Sequence, residues 1–281
     1  MVLAMACFVT NDSFVKVVGA SLPVGEIVWI RGALSVLRIL AVCAQQGVLD
    51  DLAQMASAQV MARGTLDLIG SLLFVTALMH MEIANLTAIL QAVPLVVAVF
   101  SVMFLGERVG WRRASAIALG FLGVMLIVRP SPASFTLYDA MALGIVLAVA
   151  LRDLVTRVIP AKVPTLIIAL ANAVFVTLGG LALAATENFV VPQVWQIACL
   201  AAAALFLGLG YLFMVSTLRL GNMSATAPFR YSIVVFAIIS GIMVFGEFPD
   251  FLAIVGMGLI VATGLYAAHR EAIVKDTSRL R

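Results

Sequence analysis

Asn11-Asp12-Ser13-Phe14-Val15-Lys16 interrupts an apolar run that extends from Val2 to Val18. An Asp or a Lys at the depth of a membrane helix costs about 2.5–3.5 kcal/mol on insertion scales, so two of them in one run need a reason. Asp12 and Lys16 stand four residues apart, on one helix face, where they can pair. Far downstream, Arg152-Asp153-Leu154-Val155-Thr156-Arg157 repeats the pattern inside a second apolar run. That echo organises the rest of the chain.

Of the 281 residues, 64% are apolar and 11% charged. A soluble domain holds about 45–50% apolar and about 25% charged residues, so this composition requires lipid: the chain reads as an all-α, polytopic membrane protein. The small basic excess is spread along the chain and does not form a nucleic-acid-binding patch. Cys7, Cys43 and Cys199 lie singly in apolar runs and read as core thiols, with no disulfide and no metal site expected. No cofactor is implied. The first apolar run lacks a basic leader and carries Asp12 and Lys16, which argues against a cleaved signal.

A helix crosses the bilayer in about 20 residues, and ten stretches qualify: 2–20, 24–44, 60–80, 83–105, 111–128, 139–158, 163–185, 192–217, 221–246 and 250–268. Gly and Pro punctuate most of the short connections. The longest polar connection, 45–59, could form an interfacial helix, and the residues after His269 read as a frayed charged tail. With loops numbered alternately, Arg108, Arg112, Arg113, Arg157, Lys162, Arg219 and Arg270 collect on the side of the N-terminus. Arg129 stands on the other side with Glu187, Glu247 and Asp250. The bias of basic residues predicts both termini in the cytoplasm and a location in the bacterial inner membrane.

A shift of about 140 residues aligns Asp12 with Asp153, Lys16 with Arg157, Pro23 with Pro164, and Phe104-Leu105-Gly106-Glu107 with Val244-Phe245-Gly246-Glu247. Each copy then holds five spans, residues 1–132 and 133–281, with the seam at Pro130–Ser134. Five is odd, so the second copy enters the membrane inverted. Inverted repeats recur in secondary transporters, whose substrate site lies at mid-depth between the copies.

Two five-span halves, each closing a span on Gly-Glu (Gly106-Glu107 and Gly246-Glu247), resemble the drug/metabolite transporter superfamily in its EamA-type ten-span branch. Leu90 to Glu107, with Pro94 ahead of an apolar run, is similar to that family's fourth span. Asn11-Asp12 with Lys16, then Pro23-Val24-Gly25-Glu26 and Arg31-Gly32, resembles bacterial members that include amino-acid exporters and S-adenosylmethionine carriers. The resemblance covers essentially the whole chain and is poor for substrate. Val234 stands where the second copy would repeat Pro94, so the halves need not move alike.

Several polar residues at span depth are candidates for a path. Asp12, Lys16, Arg152 and Asp153, with Asn11, could line it, or they could be ion pairs that hold helices in register; Arg157, near a span end, fits topology best. Arg31 could hold a carboxylate bidentately, or pair with Glu26 or Asp12. Arg230, flanked by Phe229 and Tyr231 and just after Pro228, could bind an amino acid or an aromatic metabolite in a flexed helix, or be interhelical glue. Gln91 and Pro94 occupy the equivalent region of the fourth span. Asp67 could couple protons or pair with Arg63 one turn earlier. His80 could gate, or be an ordinary solvated histidine. Trp29 is the aromatic best placed to stack on a ligand; Trp111, Trp195, Tyr138 and Tyr211 read as interfacial anchors.

Catalysis has little footing. His80 and His269 are the only histidines, no His-Glu-x-x-His occurs, and Gly19-Ala20-Ser21-Leu22 lacks a second glycine; no Gly-x-x-x-x-Gly-Lys-Ser/Thr loop supports ATP-driven transport. The expectation is a secondary carrier, not an enzyme, that rocks its halves about a site lined by the first, second, fourth, sixth and ninth spans. The family resemblance implies amino-acid export, aromatic amino acids included, with S-adenosylmethionine uptake as runner-up and a non-transporting scaffold as the rival of another class. Partners are a small-molecule substrate and membrane lipid, no nucleic acid, with a monomer or weak homodimer expected.

Overall fold

A computed structural model describes residues 1–105, 111–129, 135–160, 162–220 and 227–279. The chain is all-helical there, without a strand. The helices are α1 (Val2–Gly19), α2 (Val24–Gln46), α3 (Ala58–His80), α4 (Ile83–Leu90), α5 (Val93–Leu105), α6 (Trp111–Val128), α7 (Leu137–Arg157), α8 (Thr165–Ala184), α9 (Val194–Leu220), α10 (Ser232–Ser240) and α11 (Phe251–Arg279).

Among the described residues, six stretches are long and apolar enough to cross a membrane: Val2–Gly19, Val24–Gln46, Ala58–His80, Ile83–Met103, Thr165–Ala184 and Val194–Thr217. Ala114–Val128, Phe229–Phe245 and Phe251–Tyr266 are apolar but shorter. α7 has the length, but Asp139, Arg152, Asp153 and Arg157 dilute its apolar character.

The expected fourth span, 83–105, is broken at Gln91-Ala92 into α4 and α5. Pro94 explains the break: its ring excludes the carbonyl four residues earlier and it offers no N–H. The expected ninth span is not a uniform helix either. Ala227–Tyr231 is a 3-10 turn, α10 follows, and Gly241–Phe245 winds as a π-helix. The loop at 45–59 holds the 3-10 helix Leu49–Ala56. The tail expected to fray continues α11 to Arg279, in a stretch free of Gly and Pro beyond Gly264. The Gly106-Glu107 motif and the seam at Pro130–Ser134 lie outside the described residues.

α7 begins where Thr136 and Asp139 form a capping box, Asp139 N–H donating to Thr136 Oγ at 3.3 Å and Thr136 N–H to Asp139 Oδ2 at 2.8 Å; this satisfies two otherwise orphaned donors. The most extensive pairings join α2 to α8, α1 to α9, α3 to α7 and α6 to α11, and α4 also packs on α10. One apolar core runs through them, with Val15, Ile27, Leu78, Ile83, Leu86, Ile89, Ile145 and Leu200 all buried. Leu37, Leu119, Leu178, Leu205 and Met243 remain exposed, apolar surface that lipid would cover. The α2–α8 contact is close because Gly180 has no side chain: a Cβ there would lie 2.7 Å from Trp29 N and 2.8 Å from Val28 Cγ1.

Candidate functional site

Lys16 does not pair with Asp12. It forms an ion pair with Glu247, donates to Met81 O at 2.5 Å, and lies 5.0 Å above the Phe245 ring. Glu247 Oε2 in turn accepts from Ile83 N at 2.9 Å, at the start of α4. One junction therefore ties the ends of α1, α3 and the π-helix to the beginning of α4. On the same face Glu187 Oε2 accepts from Gly25 N at 2.8 Å, and Glu26 Oε1 from Val190 N at 2.7 Å, so Glu26 is engaged there and does not neutralise Arg31. Glu82, in the turn before α4, has its carboxyl pushed above the usual range by burial and then by the like charges of Glu247 and Asp250. His80 lies nearby, exposed, stacked on Tyr138 with ring centroids 4.1 Å apart and with its Nδ1 2.9 Å from Thr76 O.

Asp12 instead accepts from Asn11 Nδ2 at 2.8 Å. Among the described residues the Arg31 guanidinium makes no hydrogen bond and no ion pair; its backbone carbonyl accepts from Ser35 Oγ at 3.0 Å. Leaving a guanidinium at membrane depth without a partner is costly.

The second echo also resolves differently from an i,i+4 pair. Asp153 pairs with its neighbour Arg152 at 2.8 Å, and Arg152 pairs with Asp67 on α3, also at 2.8 Å. Arg63 reaches Asp67 at 3.4 Å and Thr156 Oγ at 2.8 Å, while Arg157 donates to Ser101 Oγ at 3.2 Å. At both echoes other partners displace the i,i+4 pair: Glu247 takes Lys16, Arg152 takes Asp153 beside it in sequence, and Arg157 turns to Ser101.

Tyr211, expected as an interfacial anchor, lies within α9. Arg152, Asp67, Arg63 and Arg31 all act on it, and Phe8 meets its ring edge-on at 5.3 Å. It nevertheless keeps 51% of its surface accessible. Asp67 on α3 and Tyr211 on α9 belong to the third and eighth spans, outside the expected lining.

Gln91 Nε2 approaches Arg230 O at 3.4 Å, which joins the broken fourth span to the 3-10 turn. Phe229 and Arg230 are exposed; Tyr231 is partly buried, with its hydroxyl against Gly264 of α11. Pro228 lends its backbone to that turn, and Pro94 is exposed. Among the described residues no hydrogen bond, ion pair or ring contact joins this group to Arg31, so the expected single lining divides into two groups. Trp29 is partly buried on the α2–α8 contact. Sequence reasoning passed over Arg38, although the cost argument that singled out Arg31 applies to it equally; Arg38 donates to Ala204 O at 2.7 Å, over Gly208 of α9.

The EamA-like transporter family matches residues 1–129 and again 136–266. The chain belongs to the EamA-like transporter family. This EamA-like protein is 29% identical to the pseudopaline exporter of Pseudomonas aeruginosa over 92% of this chain and 91% of that protein. The S-adenosylmethionine uptake transporter of Rickettsia conorii is 24% identical over 74% of this chain and 71% of its own. The riboflavin transporter of Rhizobium johnstonii is 25% identical over 75% and 70%. A solved crystal structure at 15% identity superposes with a TM-score of 0.66 over 98% of this chain and 97% of that one, which speaks for the fold alone. The protein is thus an integral membrane protein of a transporter family.

Proposed function

We propose that this EamA-like protein is a secondary transporter that moves a small polar organic metabolite across the bacterial inner membrane by alternating access. The observation that carries the reading is Arg31, whose guanidinium lies at membrane depth without a hydrogen-bond or ion-pair partner among the described residues. Its architecture is ten transmembrane helices in two inverted repeats, residues 1–132 and 133–281, with both termini cytoplasmic. The two matched stretches support that division. So does the packing: if α1 corresponds to α7 and α3 to α9, the α1–α9 and α3–α7 contacts are images of one another. α2–α8, α4–α10 and α6–α11 then each pair a helix with its own image.

Arg31 and Arg230 attract carboxylate, Asn11 and Gln91 bond amine or amide groups, and Phe229, Tyr231 and Trp29 cover apolar parts. Pro94 and Pro228 let their spans bend. The Lys16–Glu247 junction ties helix ends together on one face, a tie that alternating access would release. Export of an amino acid, aromatic ones included, is the leading substrate reading; uptake of S-adenosylmethionine is the second, favoured by the similarity to the Rickettsia transporter. Counterflow of labelled amino acids and labelled S-adenosylmethionine in proteoliposomes tests both. Exchange of an unrelated metabolite with neither of these would sink the substrate reading, and no counterflow of any organic solute would favour a scaffold.

A further inference from the structure

Arg38 carries a charge that helix packing does not require. The shift of about 140 residues that aligns the two copies sets Arg38 on Gly179 and Leu68 on Gly208. In the α3–α8 contact a Cβ on Gly179 would run into Leu68 Cδ1; in the α2–α9 contact a Cβ on Gly208 would run into Arg38 Nη1. Under the proposed repeat these two contacts are images, so a leucine over a glycine does the packing that Arg38 does over Gly208. Its Nη1 donates to a backbone carbonyl, Ala204 O, at 2.7 Å. That bond uses one of five guanidinium N–H donors, and no carboxylate pairs with Arg38 among the described residues. Beside it lies a cavity of about 190 Å³ between α2 and α9, lined by Leu34, Arg38, Ala201, Ala204 and Leu205. Ala201 and Leu205 are exposed, as is Leu37 next to Arg38, so the cavity opens on surface that lipid would cover.

We propose that Arg38 and the α2–α9 cavity bind the carboxylate end of a long-chain fatty acid that enters from the lipid. The inference needs only that the chain lies in a bilayer, and it stands apart from the substrate reading. Three observations select this ligand. The cavity is smaller than the roughly 300–1,000 Å³ of pockets that enclose a whole small molecule, so it takes one group of a ligand whose remainder lies outside, in lipid. The charge at its wall is a planar guanidinium, which matches a carboxylate bidentately and offsets its charge. The third is depth. Ala204, which the guanidinium meets, stands ten residues beyond Val194 in α9, about 15 Å along the helix at a rise of about 1.5 Å per residue. The hydrocarbon core is about 30 Å thick, so the guanidinium lies near its middle. A phosphodiester is ionised at any ordinary pH and would carry its charge through the hydrocarbon to get there, whereas a fatty acid enters as the neutral acid. The apolar side chains of Leu34 and Leu205 then flank the first methylenes.

The test is photolabelling of the full chain in phosphatidylcholine vesicles with a fatty acid that carries a diazirine near its carboxyl end, followed by peptide mapping. Oleate, methyl oleate and phosphatidylglycerol serve as competitors. The expected result is adducts within residues 34–41 and 197–208, blocked by oleate at a concentration about tenfold or more below that of methyl oleate, the scale of one charge-assisted hydrogen bond. Arg38→Leu, which copies the Leu68 contact, should bring oleate and methyl oleate to within about twofold of each other. Ala201→Phe, which fills the cavity and leaves the charge, should abolish the adducts at these residues. Adducts confined to other helices, or equal block by methyl oleate, overturn the site. So does an unchanged oleate preference in a well-folded Arg38→Leu. Block by phosphatidylglycerol as strong as by oleate would replace the fatty acid with a phospholipid and overturn the depth argument. Should a variant not elute as a monodisperse species, the wild-type map and the order of competitors alone decide.

Discussion

Replacing Glu247 by Gln leaves the Lys16 ammonium at the α1 end with only the Met81 carbonyl and the Phe245 face as partners. The side chains of the pair are 10% and 20% accessible. That places it between exposed pairs, worth about 0.2–1 kcal/mol, and fully buried ones, whose breakage costs about 3–5 kcal/mol. A cost of about 2–3 kcal/mol follows for Glu247→Gln. Lys16→Met should cost less, about 1–2 kcal/mol, because Glu247 keeps the Ile83 N–H at 2.9 Å and the positive end of α4. The double variant should be more stable than Glu247→Gln alone, since no charge is left uncompensated. The coupling energy expected from the cycle is about 2 kcal/mol, close to a thirtyfold change in the equilibrium it controls. Reversible unfolding of the four proteins in mixed micelles measures it. A coupling below about 0.5 kcal/mol, or Lys16→Met more damaging than Glu247→Gln, would refute the assignment of this junction as the tie between α1, α4 and the π-helix.

Gly180→Leu should cost about 1–3 kcal/mol or prevent assembly, because a Cβ there meets Trp29 N at 2.7 Å; melting in detergent checks it, and an unchanged midpoint would contradict the α2–α8 contact. At the start of α11, Asp250 accepts from Ala253 N at 2.8 Å and pairs with Arg129, and these hold its carboxyl below its ordinary 3.8. A depressed carboxylate contributes stability that is complete above 3.8 and is lost as pH falls through the lower folded value. Wild type should therefore lose stability relative to Asp250→Ala on acidification through that window, whereas parallel curves would speak against the cap. Pro94→Ala restores an N–H and removes the ring clash, so the break at Gln91-Ala92 should straighten, and counterflow should slow several-fold with little change in melting temperature. Equal rates would remove Pro94 from the moving parts.

Composition alone determined that this chain lives in lipid, because 64% apolar residues exceed what a water-soluble core can hide. The order of apolar runs located the helices, and the echo of Asn11–Lys16 at Arg152–Arg157 located where charge enters them. Local rules also read the broken fourth span, since a proline ring acts on its own helix. What sequence did not reveal was which charge meets which. Four-residue spacing marks Asp12–Lys16 and Asp153–Arg157 as partners, yet Lys16 went to Glu247 and Arg152 to Asp67, residues 231 and 85 positions away. Pairing at membrane depth is settled by whichever opposite charge the packed neighbours bring within reach, and that depends on crossing helices that periodicity does not specify. Tyr211 shows the same limit: in its own run it looks like an interface aromatic, and only the packing of α9 on α1 and α2 sets its ring edge-on against Phe8. The opening stretch thus drew attention to its helix by its cost in lipid, but only the tertiary structure separated Lys16, which ties helices together through Glu247, from Asp12, whose partner is Asn11 beside it.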